Sequence, residues 1–324
     1  MFQTSSRPLG AARHVVVVLS WFGLEDTLAC VSSLRAGGPE ADVLVVDNGS
    51  FDGILPEVTQ RWPDVHSLQL SRNEGFTGGM NAGLRWALDR DAATITILNN
   101  DTSVPPGTMA RLADIAAGGP RAVSPEVTYW DDAGVLWFGE GDIDPYTGLP
   151  HHVSAELLHS AGADGLRNSA VLNGCCVTAS AQTWRRVGFL DERYFLNFED
   201  SEWSVRARRR GIQLVVDTRS TIKHRVSASF TGSGRYLGLY YYSRNGLIFI
   251  RQEGGSARTA GRFLRRHVLP SVIGRRQWGS PLDVVARSLI VAHAGVDHLR
   301  RHYGPAPDSV VALAQRRGTA NQHR

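Results

Sequence analysis

Short acidic and amide-rich clusters are the parts of this sequence that could do chemistry. Asn99-Asn100-Asp101 follows an apolar segment and offers one carboxylate beside two amides, a set that suits a hard divalent cation. Glu199-Asp200-Ser201-Glu202-Trp203 is the densest acidic cluster, and the aromatic run before it favours a partly dry pocket in which a carboxylate could act as a base. Capped turns and acidic helix starts also produce such clusters, so each has a structural alternative.

Three other positions are typical of ligand contact. Asp47 ends an apolar segment and could accept hydrogen bonds from a pyrimidine or a ribose, or could form an Asx-turn with residues 48–50. Residues 72–81, RNEGFTGGMN, predict a glycine-rich loop leading into a helix, whose N-terminus favours anions, with an ordinary turn of flexible residues as the alternative. His224 ends a short predicted strand, and a lone histidine is structural more often than it is a ligand.

An alternating pattern of strands and helices must position these clusters. The apolar, mostly β-branched run Val15–Leu19 is typical of a strand buried on both faces. Further strands are predicted at 43–46, 65–70 and 94–98, with helices at 24–34 and 76–88. The pattern predicts an α/β fold with a mostly parallel central sheet flanked by helices. Polar residues follow four of these strands, and such sheets bind ligands at that edge, so we expect one shared site.

The second half of the chain changes character. Short strands and turns with several aromatic residues are predicted for 127–152. A strand is predicted at 168–180, helices at 181–187 and 201–210, and a strand at 212–216. From Arg235 onward the sequence predicts basic helices. The first strand runs into a segment with a single glycine, which excludes a dinucleotide fingerprint, and no Walker loop is present.

Composition and charge narrow the class of protein. The 324 residues are 42% hydrophobic and 20% charged, as in soluble globular proteins, and no apolar stretch is long enough to span a bilayer. The three cysteines, two of them adjacent, predict buried thiols rather than a disulfide or a zinc site. From Arg251 onward the sequence has 13 arginines and four acidic residues, so this region has a net charge of +9 in a chain whose net charge is +4. This basic region predicts an anionic partner surface such as phospholipid, and no nucleic-acid motif accompanies it.

Taken in order, these motifs resemble those of the family 2 glycosyltransferases, the inverting group with the GT-A fold. The resemblance runs from about Val15 to Asn245 and includes VLVVDNGSFDG, RNEGFTGGMNAGL, ILNNDTSVPPG and FEDSEW. Residues 137–142, Thr147-Gly148 with His151, and the segment 240–246 (YYYSRNG) look like the rhamnosyl- and galactofuranosyltransferase branch.

The resemblance implies a role for individual residues. Asp47 would face the base and ribose of a nucleotide-sugar donor. The other implied donor-side residues are Ser20, Asn48, Arg72, Asn73, Gly79, Asn81 and Asn100. Asp101 and His224 would bind Mg²⁺ or Mn²⁺, although Asn99 stands where the fuller Asp-x-Asp motif has its first acid. Asp200 would be the catalytic base, and the implied acceptor-side residues are Glu199, Glu202 and Trp203.

The implied activity is transfer of a sugar to a hydroxyl of a glycan, a lipid-linked or a natural-product acceptor. The branch favours L-rhamnose from dTDP-L-rhamnose, with a UDP-sugar as the alternative donor. We expect a loose arm over 1–13, a catalytic domain over 14–232 and a basic helical region over 233–324. The donor half of the catalytic domain is 14–125 and the acceptor half is 126–232.

We expect a cytoplasmic protein, with the alternative of peripheral contact at the inner face of an anionic membrane, and with a homodimer left open. The alternative from another class is a non-catalytic nucleotide- or carbohydrate-binding protein on a decayed transferase fold. The set Asp101, Asp200 and His224 argues against that alternative, since decay would remove members of it.

Overall fold

A computed structural model describes residues 8–9, 13–38, 40–226, 232–274 and 281–322, so most of the predicted arm 1–13 lies outside the described residues. The chain forms two compact units. The first comprises Met1–Asp142, His151–Asp191 and Glu199–Val226, and the second comprises Ile143–Pro150, Glu192–Phe198 and Ser227–Arg324. The predicted division into 14–125, 126–232 and 233–324 stays a prediction.

Twelve strands occur in the described residues. They are β1 His14–Ser20, β2 Asp42–Asp47, β3 His66–Gln69, β4 Thr94–Asn99, β5 Thr102–Ser103, β6 Arg121–Tyr129, β7 Leu136–Phe138, β8 Gly141–Ile143, β9 Pro150–His152, β10 Leu166–Asn168, β11 Cys176–Ser180 and β12 Gln213–His224. The main sheet has the order β10-β12-β6-β11-β4-β1-β2-β3, with β5 on β12 and β7 on β6, while β8 and β9 form a separate pair. The half β4-β1-β2-β3 is parallel as predicted, and β11 is antiparallel to both of its neighbours, so the sheet is mixed.

In the described residues, six helices of the first unit flank the sheet, and a separate set of helices makes up most of the second unit. In the first unit they are α1 Leu24–Arg35, α2 Ile54–Arg61, α3 Gly75–Leu88, α4 Thr108–Ala117, α5 Ala181–Val187 and α6 Glu199–Arg209. In the second unit they are α7 Ser233–Gln252, α8 Ala257–Phe263, α9 Leu269–Ile273, α10 Pro281–Arg300 and α11 Asp308–Gln322. The predicted α/β fold with C-terminal helices is confirmed. Helices α2 and α4 were not predicted.

The central strand β1 sets the spacing of the core. Val15, Val16, Val17 and Val18 are completely buried, as the unbroken apolar run predicts. Helix α3 lies directly against this strand because Gly83 faces Val17 with no side chain between them, and a Cβ there would overlap the Val17 methyl group. The core of the first unit is therefore a sheet with close-packed helices.

The second unit has its own core, formed by aromatic residues of α7 and aliphatic residues of α10 and α11. Buried phenols of α7 are tied to α10: Tyr236 donates to Asp283 at 2.9 Å and Tyr240 donates to Asp297 at 2.6 Å. Across the described residues, no helix is long and apolar enough to cross a membrane.

Candidate active site

The parallel register brings three polar strand ends together. Ser20 at the end of β1 pairs with Asp47 at the end of β2, and Leu19 pairs with Asn99 at the end of β4. Just beyond the strands, the amide of Asn48 donates to the carbonyl of Ser20 at 2.9 Å. The polar clusters that the sequence distributes over 80 residues thus lie at one edge of the sheet.

Asp47 is buried and its carboxylate holds the following turn. Oδ1 accepts hydrogen bonds from the backbone amide and the hydroxyl of Ser50 at 2.8 and 2.6 Å. Oδ2 accepts from the amide of Phe51 at 3.0 Å and from Gln69 Nε2 at 2.9 Å. The turn that the sequence left open as an alternative is formed, and the contact of Asp47 with a ribose stays a prediction.

Asn48 connects this turn to the glycine-rich loop. Its Nδ2 donates to Asn73 Oδ1 at 3.1 Å and to the carbonyl of Gly75 at 3.0 Å, and its Oδ1 accepts from the amide of Glu74 at 3.0 Å. The Arg72 side chain is exposed beside Glu74, and the hydrogen bond and charge of that carboxylate raise the pKa of Arg72. Arg72 is therefore a cation at the open rim of the loop.

The other predicted donor-side residues make contacts within the protein. Asn100 Nδ2 donates to Thr27 Oγ1 at 2.9 Å, and Thr27 Oγ1 in turn donates to Ser20 Oγ at 2.9 Å. The Asn81 amide exchanges two hydrogen bonds with the backbone of Leu190, at 2.9 and 3.0 Å. Gly79 gives α3 room against β1. Their contacts with a nucleotide stay predictions.

Asp101 and His224 meet because the two-residue strand β5 pairs with the end of β12. Thr102 lies opposite His224, and the amide of Arg225 donates to the Asp101 carbonyl at 2.9 Å. His224 Nε2 lies 3.1 Å from Asp101 Oδ1, and both side chains are largely buried. Asn99 Nδ2 lies 3.4 Å from the same ring nitrogen. Asp101, His224 and the motif position Asn99 are therefore adjacent.

The Asp101–His224 pair fits a divalent cation. Asp101 Oδ1 is buried and has no hydrogen-bond partner in the described part of the chain, although it lies 3.1 Å from the ring nitrogen. Neighbouring ligand atoms of an octahedral cation with bonds of about 2.1 Å are separated by about 3.0 Å. A carboxylate oxygen and an imidazole nitrogen at this spacing suit Mg²⁺ or Mn²⁺. Among the described residues, no group of three or more His, Cys, Asp or Glu side chains that could together hold a metal ion occurs.

Asp200 lies in the first turn of α6, where the helix N-terminus favours an anion. Its Oδ2 accepts a 2.8 Å hydrogen bond from the Gly174 amide, and its Oδ1 accepts from the Ser201 amide and hydroxyl at 2.6 and 3.0 Å. Gly174 is beside β4, because the neighbouring Cys175 carbonyl accepts from the Asn99 amide at 2.9 Å. The carboxylate is thus oriented by backbone and side-chain donors.

The three acceptor-side residues are largely buried. Burial, and then the charge of Asp200, raise the pKa of Glu199 well above its ordinary value and so favour its neutral form. Glu202 forms an ion pair with Arg206 at 2.7 Å. Trp203 packs on Trp184 in the core of the unit. Their roles toward an acceptor stay predictions.

His152 and Trp137 join the two sides of the site, and His152 was not predicted. His152 Nδ1 bonds to the carbonyl of Trp137 at 2.9 Å, and Asn173 Nδ2 bonds to His152 Nε2 at 3.3 Å. The Trp137 ring packs edge-on against both His152 and His224, with centroids 4.8 and 4.7 Å apart. Burial lowers the pKa of His152, and the nearby Asp200 partly opposes this. The only sequence signal was the neighbouring His151 in the aromatic segment.

The mixed sheet with its flanking helices is the GT-A fold. Residues 16–163 match the model of glycosyl transferase family 2, and this part of the chain is a family 2 glycosyltransferase domain. The family and fold that the sequence motifs resembled are thereby confirmed, and so is the burial of the three free cysteines.

Three similar proteins illustrate the range of relatives. A low-salt glycan biosynthesis hexosyltransferase of Haloferax volcanii is 24% identical over 61% of this chain, which spans only 62% of that relative. An N-acetylglucosaminyl-diphospho-decaprenol L-rhamnosyltransferase of Mycobacterium tuberculosis is 25% identical over 71% of this chain and 81% of the relative. A Pyrobaculum calidifontis mannosyltransferase solved with GDP-Man and Mn²⁺ has a TM-score of 0.52 at 14% identity, covering 98% of this chain and 88% of its own. That structural likeness establishes the fold.

Proposed function

We propose that this protein is a metal-dependent, inverting glycosyltransferase that moves a sugar from a nucleoside diphosphate to an acceptor hydroxyl. The observation that carries the proposal is the hydrogen-bonded Asp200 carboxylate, held by Gly174 in the same unit as the Asp101–His224 pair. Trp137 contacts both His224 and His152, and His152 is hydrogen-bonded to Asn173, the residue before Gly174. A base and a cation-binding pair at one sheet edge are the two parts that this chemistry requires.

The residues divide the work as follows. Asp101 and His224 would hold Mg²⁺ or Mn²⁺, which when bound neutralises the charge that develops on the leaving diphosphate. Asp200 accepts the proton of the acceptor hydroxyl while that oxygen attacks the anomeric carbon from the face opposite the diphosphate. The new glycosidic bond forms as the bond to the diphosphate oxygen breaks, so the configuration at the anomeric carbon inverts.

For the donor we propose dTDP-L-rhamnose, with UDP-sugars as the alternative. Supporting observations are the Mycobacterium tuberculosis relative named as an L-rhamnosyltransferase and the branch motifs of residues 137–151 and 240–246. For the acceptor we propose a lipid-linked glycan hydroxyl, since that relative is named for a decaprenyl-diphosphate-linked sugar.

We propose that the basic C-terminal region brings the protein to an anionic membrane surface that carries this acceptor. The net charge of +9 from Arg251 onward supports the proposal. Flotation with vesicles containing an anionic phospholipid tests it. Co-flotation at low salt that is lost at about 0.5 M salt is expected, because the attraction is electrostatic. Protein that stays at the bottom of the gradient at low salt would refute this part of the proposal.

The activity is tested with purified protein, a panel of dTDP-, UDP- and GDP-sugars, and Mn²⁺, Mg²⁺ or EDTA, measuring nucleotide release and donor binding. Selective, metal-dependent release from one donor is expected. Asp200→Asn should lower turnover by about 10²- to 10⁴-fold with donor affinity unchanged, because a positioned base contributes about this factor. Asp114→Asn, at an exposed acid of α4, is the matched control and should leave both quantities unchanged. Full turnover by Asp200→Asn removes Asp200 from the base role.

A further inference from the structure

The backbone just before the proposed base adopts a conformation that L-residues avoid. Phe195, Asn197 and Phe198 have φ values of 41°, 69° and 74°. Three left-handed, non-glycine residues within four positions persist only where the surroundings determine the path of the chain. All three belong to the segment Glu192–Phe198, which is part of the second unit together with α7.

A single amide of α7 holds this segment. Asn245 is completely buried, and its Nδ2 donates to the carbonyls of Tyr194, Leu196 and Asn197 at 2.9, 2.7 and 3.1 Å. Its Oδ1 accepts from Arg244 Nε at 2.9 Å. Carbonyls only accept and a guanidinium only donates, so these partners fix which end of the amide is nitrogen. With its two hydrogens shared among three acceptors, the amide nitrogen clamps three backbone carbonyls within four residues of each other.

Side chains of the segment 192–198 also pack against α7. The Phe195 ring stacks on Tyr241 with centroids 5.3 Å apart and an interplanar angle of 16°. Phe198 packs against Tyr242 and Phe249, with centroids 5.4 and 5.8 Å away. Of the three left-handed residues, Asn197 is therefore held through its carbonyl, and Phe195 and Phe198 are held through their rings.

The arginine next to the clamp is also buried. Arg244 is completely buried, and its guanidinium lies over the Tyr240 and Tyr241 rings at 5.2 and 5.3 Å from the centroids. Its Nε–H is the donor to the Asn245 carbonyl oxygen, so the arginine orients the amide of the clamp. The YYYSRN motif of the sequence thus supplies the clamp and its support.

The clamped segment continues without a break into α6: Phe198 is followed by Glu199 and Asp200. We propose that Asn245 is a positioning residue for the base, fixing the path by which the chain enters α6 and so the direction of the Asp200 carboxylate. The inference rests on the proposed function, since it needs Asp200 to be the base. Asn245 touches no reacting atom. Its effect is transmitted along the backbone, because Asp200 follows Asn197, the last residue whose carbonyl Asn245 binds, by three positions.

Asn245→Ala tests the proposal, with dTDP-L-rhamnose as the first donor probe and the donor selected by the panel if dTDP-L-rhamnose is not turned over. We expect kcat to fall about 10- to 100-fold with donor Kd unchanged, because a displaced base loses near-attack geometry. Asn245→Ser, whose one hydroxyl can serve only one carbonyl, should give a smaller loss and covers the case that the alanine variant does not fold. Ser243→Ala is the matched control, since the Ser243 hydroxyl is buried on the same helix and no described residue forms a hydrogen bond with it.

A double-mutant comparison separates positioning from general damage. Adding Asn245→Ala to Asp200→Asn should cause no further fall in kcat, because no base is left to misplace. An equal loss in both backgrounds, or wild-type kcat in the folded Asn245→Ala and Asn245→Ser variants, would overturn the inference. Full turnover by Asp200→Asn alone overturns the base assignment first, so the two failures are distinguishable.

Discussion

The Gly174 amide donates a 2.8 Å hydrogen bond to Oδ2 of Asp200, joining the loop before β11 to the first turn of α6. A Cβ on Gly174 would lie 3.2 Å from the Asp200 Cβ and 3.4 Å from Oδ2. The Asp200 carboxylate can therefore lie this close to residue 174 because that residue has no side chain.

Gly174→Ala should lower kcat about tenfold with donor affinity retained. The added methyl group displaces the carboxylate by a few tenths of an ångström, and misplacement of about 1 Å costs about 10²-fold in rate. Steady-state kinetics and calorimetric donor titration measure the two effects. Gly261→Ala is the control, since a Cβ there meets open space. An unchanged kcat would mean that Asp200 is not held in its reactive position by this contact.

Glu199→Gln should leave kcat within about threefold of wild type at pH 7. Burial favours the protonated form of Glu199, and glutamine has the same shape and charge as that neutral acid. Asp200→Asn, one residue further on, should be nearly inactive under the same assay. A loss of 10²-fold or more in Glu199→Gln would show that the ionised form of Glu199 takes part in the reaction.

Asn99→Asp should tighten Mn²⁺ binding about tenfold in the presence of the nucleoside diphosphate. The substitution places a second carboxylate beside Asp101 and His224, and cation affinity increases with the charge of the ligand set. His224→Ala should weaken Mn²⁺ binding by at least about tenfold, whereas His293→Ala, at an exposed histidine of α10, should not. Titration of Mn²⁺ followed by electron paramagnetic resonance gives the affinities. Equal Mn²⁺ affinities in the wild type and the three variants would show that the cation does not bind at Asp101 and His224.

His14 should make the fold acid-sensitive. Burial lowers its pKa to about 4, and its Nε2 is bonded to Thr96 Oγ1 at 2.9 Å. The folded pKa is below the unfolded value of about 6.5, so the unfolded chain binds the proton first and stability falls as pH drops from about 6.5 to about 4. The loss should be about 3 kcal/mol, from about 1.4 kcal/mol per pKa unit.

Urea denaturation at several pH values between 7 and 4 measures this effect. The free energy of unfolding of His14→Gln should fall less steeply with acid than that of wild type. Parallel curves for the two proteins would contradict the assignment.

Local sequence patterns predicted the parallel half of the fold. The apolar run at Val15–Leu19 became β1, and the helix predicted at 181–187 begins where Ser180 caps it by accepting from the Thr183 amide. Helix α2 was not predicted because it has only eight residues and includes Pro56. The strand predicted over 168–180 is two strands separated by the loop that carries Asn173 and Gly174, and nothing in its composition marks that break.

The sequence by itself determined most of the secondary elements and which chemical groups follow the strands of the parallel half, because burial of apolar runs and capping of turns are local or periodic effects. It also placed Asp101, Asp200 and His224 in a recognisable order. Only the tertiary structure decided that β5 brings His224 to 3.1 Å from Asp101, that Gly174 holds Asp200, and that Asn245 clamps the segment before it. These contacts join residues 26 to 123 positions apart in the chain, and such pairs are set by strand register and helix packing, which no local pattern encodes.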